Sequence, residues 1–455
     1  FPTRRSSDLV VKDCRDEDYV VMEVNKAMLE LRRNGGGPVH INLITTYSRD
    51  FSVKELPHVK VMRRFQAWDE LPVLPEGRIG IYVGSHTHFS EKQNRAIDRF
   101  CATYDAVVIC DHTSGYYGKY KLLPTLVQLQ SDITSPFPPL DLMVHIGEIS
   151  AASFNDTIPA KEVWRVSEDG ELRDPFKKLT TVFQMSEEMF FLHYGKDGCN
   201  RHVLIDECRE LFGEIYEQIP ELPFCNIWTA MQLSSRLPKG ALFHMGVSNT
   251  RRCWNMFQLP ESVESACNVG CCGIDGCVST LVGASLVNPD RLCYVVVGDL
   301  TFFYDLNSLG NHHIGTNLRV MLVNNGRGTE FRLGIHHCNV FGDDADKYMA
   351  AAGHFGNKSP LLVKHYAEDL GFHYLSATTK EEFMTALSNF TNPQLSDHSM
   401  ILEVFTDSKD ESEALYLMSH IQSDAKGMVR SKLKDAVRNV AGEKGINAIK
   451  KILKK

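Results

Sequence analysis

Hydrophobic positions first recur at helical spacing. Val20, Val21, Val24, Met28 and Leu31 share one face of the stretch from Asp16 to Leu31, which the glycines of NGGGP then close. Val39, Ile41 and Leu43 alternate with polar residues in the next segment, as a strand does. Residues 48–77 carry prolines and mixed charge with no clean period and read as a linker. Beyond them the pattern changes to short apolar runs: RIGIYVG from Arg78, AVVICD from Ala106, DLMVHIGE from Asp141, EVWRV from Glu162 and TTVFQ from Thr180. Helical stretches such as Ser90 to Tyr104 fall between them. Short apolar runs in such alternation predict an α/β fold built on parallel sheets. After a helical connector at 198–223 the series resumes with ALFHMG from Ala241, RLCYVVVGDL from Arg291, NLRVMLVNN from Asn317 and MILEVF from Met400.

Length and composition narrow the class. With 455 residues the chain can hold about three domains, and 43% hydrophobic against 23% charged residues excludes a disordered or collagenous protein. No apolar run reaches 18 residues and no secretory leader is visible, so the expectation is a cytoplasmic protein without a membrane span. The 13 cysteines form no CxxC pair and read as reduced thiols. FPTRRSSDL at residues 1–9 has no initiator methionine and reads as a translated adapter, foreign to the protein. Residues 424–455 hold 10 Lys/Arg against 3 Asp/Glu, a basic helical tail better suited to a solvated or subunit-docking face than to nucleic acid. The expected organisation is therefore a remnant of a first domain at 10–47, the linker, a central α/β domain at 78–197, the connector, and a third domain at 224–423 before the tail.

The third block carries the chemistry. Asp299 ends one apolar run and Asn325 ends the next, 26 residues later, an interval that fits a strand-helix-strand crossover. In a parallel sheet both side chains emerge at the same carboxyl edge, where open α/β sheets bind ligands. A carboxylate and an amide oxygen there suit a hard cation such as Mg²⁺, whose remaining positions go to phosphate oxygens and water. Gly298, Gly326 and Gly328 allow close backbone approach, and a helix start after Asp299 faces its N–H groups to a phosphate. Gly84 and Gly147 also end strands, but without GxGxxG they read as simple turns.

This GD…NN pairing resembles the diphosphate-anchoring motif of thiamine-diphosphate-dependent enzymes. GPVHINL is similar to the end of that family's pyrimidine-binding domain, and the middle block to its cofactor-free central domain. Within the family, GVSNTRR, GCCGIDGCVST and GDLTFFYDLNSL look most like the 2-succinyl-5-enolpyruvyl-6-hydroxy-3-cyclohexene-1-carboxylate synthases of menaquinone synthesis. The resemblance implies a thiamine-diphosphate fold and thiamine diphosphate with Mg²⁺ as cofactors. It implies Asp299, the Asn325 side chain and the Arg327 carbonyl as metal ligands. Gly298, Leu300 and Thr301 would border the diphosphate, and Ile274 would be the wedge that bends the cofactor. Ser248 and Arg252 match the SxxxR pair used on a substrate carboxylate, a task that a planar guanidinium suits. Val269 stands where those synthases carry an arginine, and Arg327 is the residue that could compensate.

The function implied by the resemblance is that of an enzyme that decarboxylates a 2-oxo acid resembling 2-oxoglutarate and adds the remainder to an acceptor resembling isochorismate. HHCNVFGDDADKYMAAAGHFGNKSPLLVKHYAEDLGF fits other thiamine-diphosphate decarboxylases and ligases equally well, for example in sugar or polysaccharide synthesis. A non-catalytic α/β binding protein is the third possibility. The family's activating glutamate belongs to a part of the first domain not found in these residues, so the catalytic residue is unassigned, and the chain by itself is expected to be inactive. Active sites shared between subunits imply a homodimer or homotetramer. His336, His337 and Cys338 alternate faces on an extended backbone and are not expected to share a metal. His86 and His88 read as polar loop residues.

Overall fold

A computed structural model describes residues 5–10, 17–44, 52, 54–55, 60–133, 137–148, 158–270, 273–333, 336–347 and 354–423. The basic tail and the Cys271–Cys272 pair lie outside these. All strand pairs within its three sheets are parallel.

The first sheet has two strands, β1 (Arg5–Val10) and β2 (Val39–Ile44), joined through the helix Glu17–Glu30. Most of β1 comes from the stretch that the sequence sets apart as foreign; it nonetheless pairs with β2 along its whole length, Arg5 opposite Val39 and Val10 opposite Ile44. The helix is fastened to the next domain by Asn25, whose amide donates to the Lys60 carbonyl at 3.0 Å and accepts from the Met62 N–H at 2.9 Å.

The second sheet contains β3 (Arg63–Gln66), β4 (Ile79–Val83), β5 (Val107–Ile109), β6 (Lys121–Leu122), β7 (Leu140–Ile146), β8 (Ala160–Val166) and β9 (Leu179–Gln184), in the spatial order 3-9-8-7-4-5-6. β3 lies inside the expected linker, so the central domain reaches further toward the N-terminus than the apolar runs indicate. All five residues of β4 are buried, the signature of a strand covered on both faces. After β4 the chain moves to one side of the sheet and after β7 to the other, which makes the β4–β7 junction a topological switch point. There Ser85 and Glu148 exchange backbone hydrogen bonds at 2.8 Å each way. A Cβ on Gly84 would lie 1.8 Å from the Glu148 carbonyl oxygen, so only glycine permits that approach.

The third sheet contains β10 (Leu242–Met245), β11 (Glu264–Cys267), β12 (Cys293–Gly298), β13 (Leu318–Asn324), β14 (His373–Ala377) and β15 (Met400–Phe405), in the order 11-10-12-13-15-14. Its switch point lies between β10 and β12. The connector helix Val203–Glu217 joins the two larger domains. The loop after β5 packs on the third domain: the His112 N–H donates to Asn255 Oδ1 at 2.9 Å, and its Nε2 lies 3.1 and 2.9 Å from the Trp254 and Phe257 carbonyls.

Candidate cofactor and substrate site

The expected site residues gather at the carboxyl edge of the third sheet. β12 and β13 are hydrogen-bonded neighbours with Gly298 opposite Val323, so their ends are level. Gly298 caps the six-residue helix Asp299–Tyr304, and β13, buried at all seven positions, delivers Asn325 one residue past its end. The strand end is braced from below, where the Asn324 amide donates to Glu403 at 2.7 Å and the Tyr374 hydroxyl donates to the same carboxylate at 2.8 Å.

Asp299 is only 2% exposed. Its Oδ1 accepts the Leu300 N–H at 2.8 Å, while Oδ2 is buried without a hydrogen-bond partner. His354 Nε2 approaches Oδ2 to 3.0 Å, an ion-pair distance at which the geometry of a hydrogen bond is not met. The imidazole is fixed from its other side, Nδ1 accepting the Gly356 N–H at 2.9 Å and the ring lying 5.1 Å from Phe303. Asn325 Oδ1 and Thr329 Oγ1 are likewise buried without partners. Buried polar atoms without partners cost stability; Asp299 directly follows β12, Asn325 directly follows β13, and Thr329 opens the 3₁₀ turn Thr329–Arg332 beyond it. Among the described residues no three His, Cys, Asp or Glu side chains converge. The available donors are one carboxylate with amide and carbonyl oxygens, a set that suits a hard cation better than zinc.

Two expected contacts differ in detail. The Leu300 N–H, expected to face a phosphate, is already given to Asp299. The Arg327 carbonyl accepts the Thr329 N–H at 3.0 Å, which leaves one lone pair for a cation. Arg327 and Leu300 are half-buried, and Thr301 is 5% exposed beneath them.

Across the switch point, β10 ends at Met245, and the Gly246 N–H donates to the Val296 carbonyl at 2.7 Å. Ser248 then turns the chain into the helix Asn249–Trp254 with φ 60° and ψ −121°, a conformation that costs a non-glycine residue on the order of 1–3 kcal/mol. Arg252 lies four residues on, its N–H donating to the Ser248 carbonyl at 3.0 Å. The guanidinium is engaged by Glu330, a residue that no sequence pattern marks: Nη1 donates to Glu330 Oε2 at 3.0 Å and Nη2 to Oε1 at 2.7 Å. Burial works against the charge of Arg252, but the Glu330 hydrogen bonds and charge outweigh it and raise its pKa above the ordinary value. Arg251, next to it, is buried and faces Asp111 at 3.7 Å. Val269, which the resemblance sets where those synthases carry an arginine, is 6% exposed. Ile274 is half-buried in the turn before the helix Cys277–Val287; Asn268 ties the turn down by donating to the Gly276 carbonyl at 3.1 Å.

His354 and Glu330 had no usable signal in the sequence, since each meets its partner from a short 3₁₀ segment or turn with no period. His86 and His88, read as loop polars, pack as rings: His86 stacks on Phe89 and meets Glu187 at 3.2 Å, and His88 stacks on Tyr117.

No family model matches the chain. A 2-succinyl-5-enolpyruvyl-6-hydroxy-3-cyclohexene-1-carboxylate synthase of Bacteroides thetaiotaomicron is 28% identical over 428 residues, covering 88% of this chain and 73% of the relative. Proteins of the same name from Bacteroides fragilis and Phocaeicola vulgatus are 29% and 28% identical over 433 and 434 residues, with the same coverage. Two large parallel α/β sheets, one with Asp299 and Asn325 at its strand ends, accompany a similarity to those synthases that runs along most of the sequence.

Proposed function

We propose that the chain belongs to an enzyme that uses thiamine diphosphate and Mg²⁺ to decarboxylate a 2-oxo acid of the 2-oxoglutarate type and transfer the remainder to an isochorismate-like acceptor. The carrying observation is the pair of buried oxygens without hydrogen-bond partners, Asp299 Oδ2 and Asn325 Oδ1, at the ends of adjacent strands. Asp299, Asn325 and the Arg327 carbonyl would hold a hard cation such as Mg²⁺, which would neutralise the charge of a diphosphate. The bound cofactor supplies the electron sink that lets a 2-oxo acid lose CO₂. The chain's own part is to bind and orient. Asp299 and Asn325 hold the cation, Thr301 and the backbone around Gly298 border the diphosphate, Ile274 props the cofactor, and Val269 keeps water from the neighbouring wall. Ser248 and Arg252 form the substrate side. A second reading, a decarboxylase or ligase for a different 2-oxo acid, draws support from the apolar Val269 and from the occupied guanidinium of Arg252.

Thermal unfolding with and without Mg²⁺ and thiamine diphosphate tests the cofactor reading. A ligand at 100 times its Kd stabilises by about 2.7 kcal/mol. The wild type is expected to gain on that order, and Asp299→Asn to lose the gain while melting no lower than wild type without ligand, because it removes a poorly satisfied buried carboxylate. Equal ligand-induced shifts in both proteins would reject Asp299 as an anchor, and no shift in either would reject the cofactor.

A further inference from the structure

Arg252 is the cation expected to take a substrate carboxylate, yet a carboxylate is already seated on it. Glu330 occupies both terminal nitrogens in the two-pronged geometry that makes guanidinium–carboxylate pairing selective. The pair is shielded, with the side chains 25% and 22% exposed. It is also held from both ends. Arg252 rises from the helix that Ser248 starts, with Asn249 Oδ1 3.5 Å from Nη1; Glu330 lies in the 3₁₀ turn Thr329–Arg332, directly after the Asn325–Arg327 loop. A substrate carboxylate that needs this fork must first displace Glu330, and Val269, buried and apolar, supplies no second cation.

We infer that Glu330 is a specificity-determining residue, an internal carboxylate that competes for Arg252 and so weakens selection for 2-oxo acids bearing a second carboxylate. The inference rests on the functional reading above only in taking Arg252 to face substrate. The mechanism is direct competition between two anions for one planar cation, and it predicts that discharging the internal anion favours the external one.

The test compares 2-oxoglutarate with 2-oxopentanoate, which replaces the terminal carboxylate by a methyl group, by titration calorimetry on wild type and Glu330→Gln. Thiamine diphosphate is left out, so the outcome does not depend on whether the chain binds the cofactor; that question is settled separately by the Asp299 melts. Glu330→Gln is expected to shift the affinity ratio toward 2-oxoglutarate by tenfold or more, and adding Arg252→Gln to abolish the shift. An unchanged ratio, including the absence of measurable binding of either acid to Glu330→Gln, overturns the inference, as does a shift that survives the loss of Arg252. If Glu330→Gln gives no cooperative melt, Glu330→Asp makes the same comparison, since its shorter arm draws the carboxylate back from the fork.

Discussion

Glu411 shows what the interior asks of a carboxylate when it is satisfied. It is 1% exposed on the helix Ser408–Ser419, and its Oε1 accepts the Asn226 N–H at 2.9 Å and the Thr406 hydroxyl at 3.0 Å. Burial nevertheless pushes its pKa up to about 7, with the hydrogen bonds from Asn226, Thr406 and Asn249 pulling the other way and Asp410 adding to the rise. The folded chain thus keeps a proton that the unfolded chain, with an ordinary value of ~4.3, has released. Stability contributed by this group is full below about pH 4 and declines as pH rises toward about 7. Urea unfolding from pH 4 to 8 is expected to show Glu411→Gln gaining on the wild type across that window, by about 3–4 kcal/mol at its upper end. A difference that does not vary with pH counts against the assignment. Asp299 is the opposite case, a buried carboxylate whose Oδ2 meets His354 Nε2 at 3.0 Å without the geometry of a hydrogen bond. Both Asp299 and Asn325 could be read from the sequence, because a polar residue directly after an apolar parallel strand has only one edge to occupy. Glu330 and His354 could not, since their positions depend on how two loops meet across the sheet edge, which leaves no period in the sequence.

At the scale of elements, local chemistry and burial divide the work. The helix Glu91–Tyr104 begins with a reciprocal cap: Ser90 Oγ accepts the Gln93 N–H at 3.3 Å and the Gln93 side chain accepts the Ser90 N–H at 2.9 Å. Ser90→Ala is expected to lower the unfolding free energy by about 1 kcal/mol in urea and to leave the stabilisation by Mg²⁺ and thiamine diphosphate intact, as the cap lies in the central domain. A loss of that ligand effect would mean the two domains are coupled through this helix. The strands that the sequence reveals are the ones buried on both faces: β4, β7, β12, β13 and β15 are nearly unbroken apolar runs. The hidden ones are at the borders. β3 reads RRFQ, β11 ESAC and β14 HYLSA, and each lies at the edge of its sheet, where half-exposed positions break the run. β1 is hidden for a related reason, because RSSDLV has too few apolar positions to set a period and its pairing is supplied by β2.

For the whole molecule, the two larger domains are joined by specific bonds as well as by the connector helix. His112 reaches from the central domain to carbonyls of Trp254 and Phe257, and Ser265 Oγ donates back to the His112 carbonyl at 2.6 Å. In the other direction Gln130 donates to the Met418 carbonyl at 2.8 Å and accepts the Ile421 N–H at 3.0 Å, so the end of the third domain returns to the second. Burial lowers the His112 pKa to about 4, outweighing its hydrogen bonds to the two carbonyls. The imidazole is then neutral in the fold, and the stability it contributes is complete above about pH 6.5 and lost as pH falls toward 4. His112→Ala is expected to cost about 2 kcal/mol or more at pH 7, to split the thermal transition into two, and to flatten the loss between pH 6.5 and 4. A single transition with an unchanged acid limb would show that the connector, not this contact, joins the domains.

Each of the two large sheets has a place where the strand order reverses, so the fold offers such an opening twice. In the second sheet Ser85 and Glu148 bond across the reversal, with Gly84 making room for the approach. In the third, the corresponding ends of β10 and β12 run out into Ser248 and Asp299 instead. A pair of backbone bonds at a glycine closes the first opening, and the proposed site uses the second. By the same logic, substitutions around Ser85 and Glu148 are expected to leave the proposed ligand binding unchanged, and substitutions at Ser248 or Asp299 to alter it.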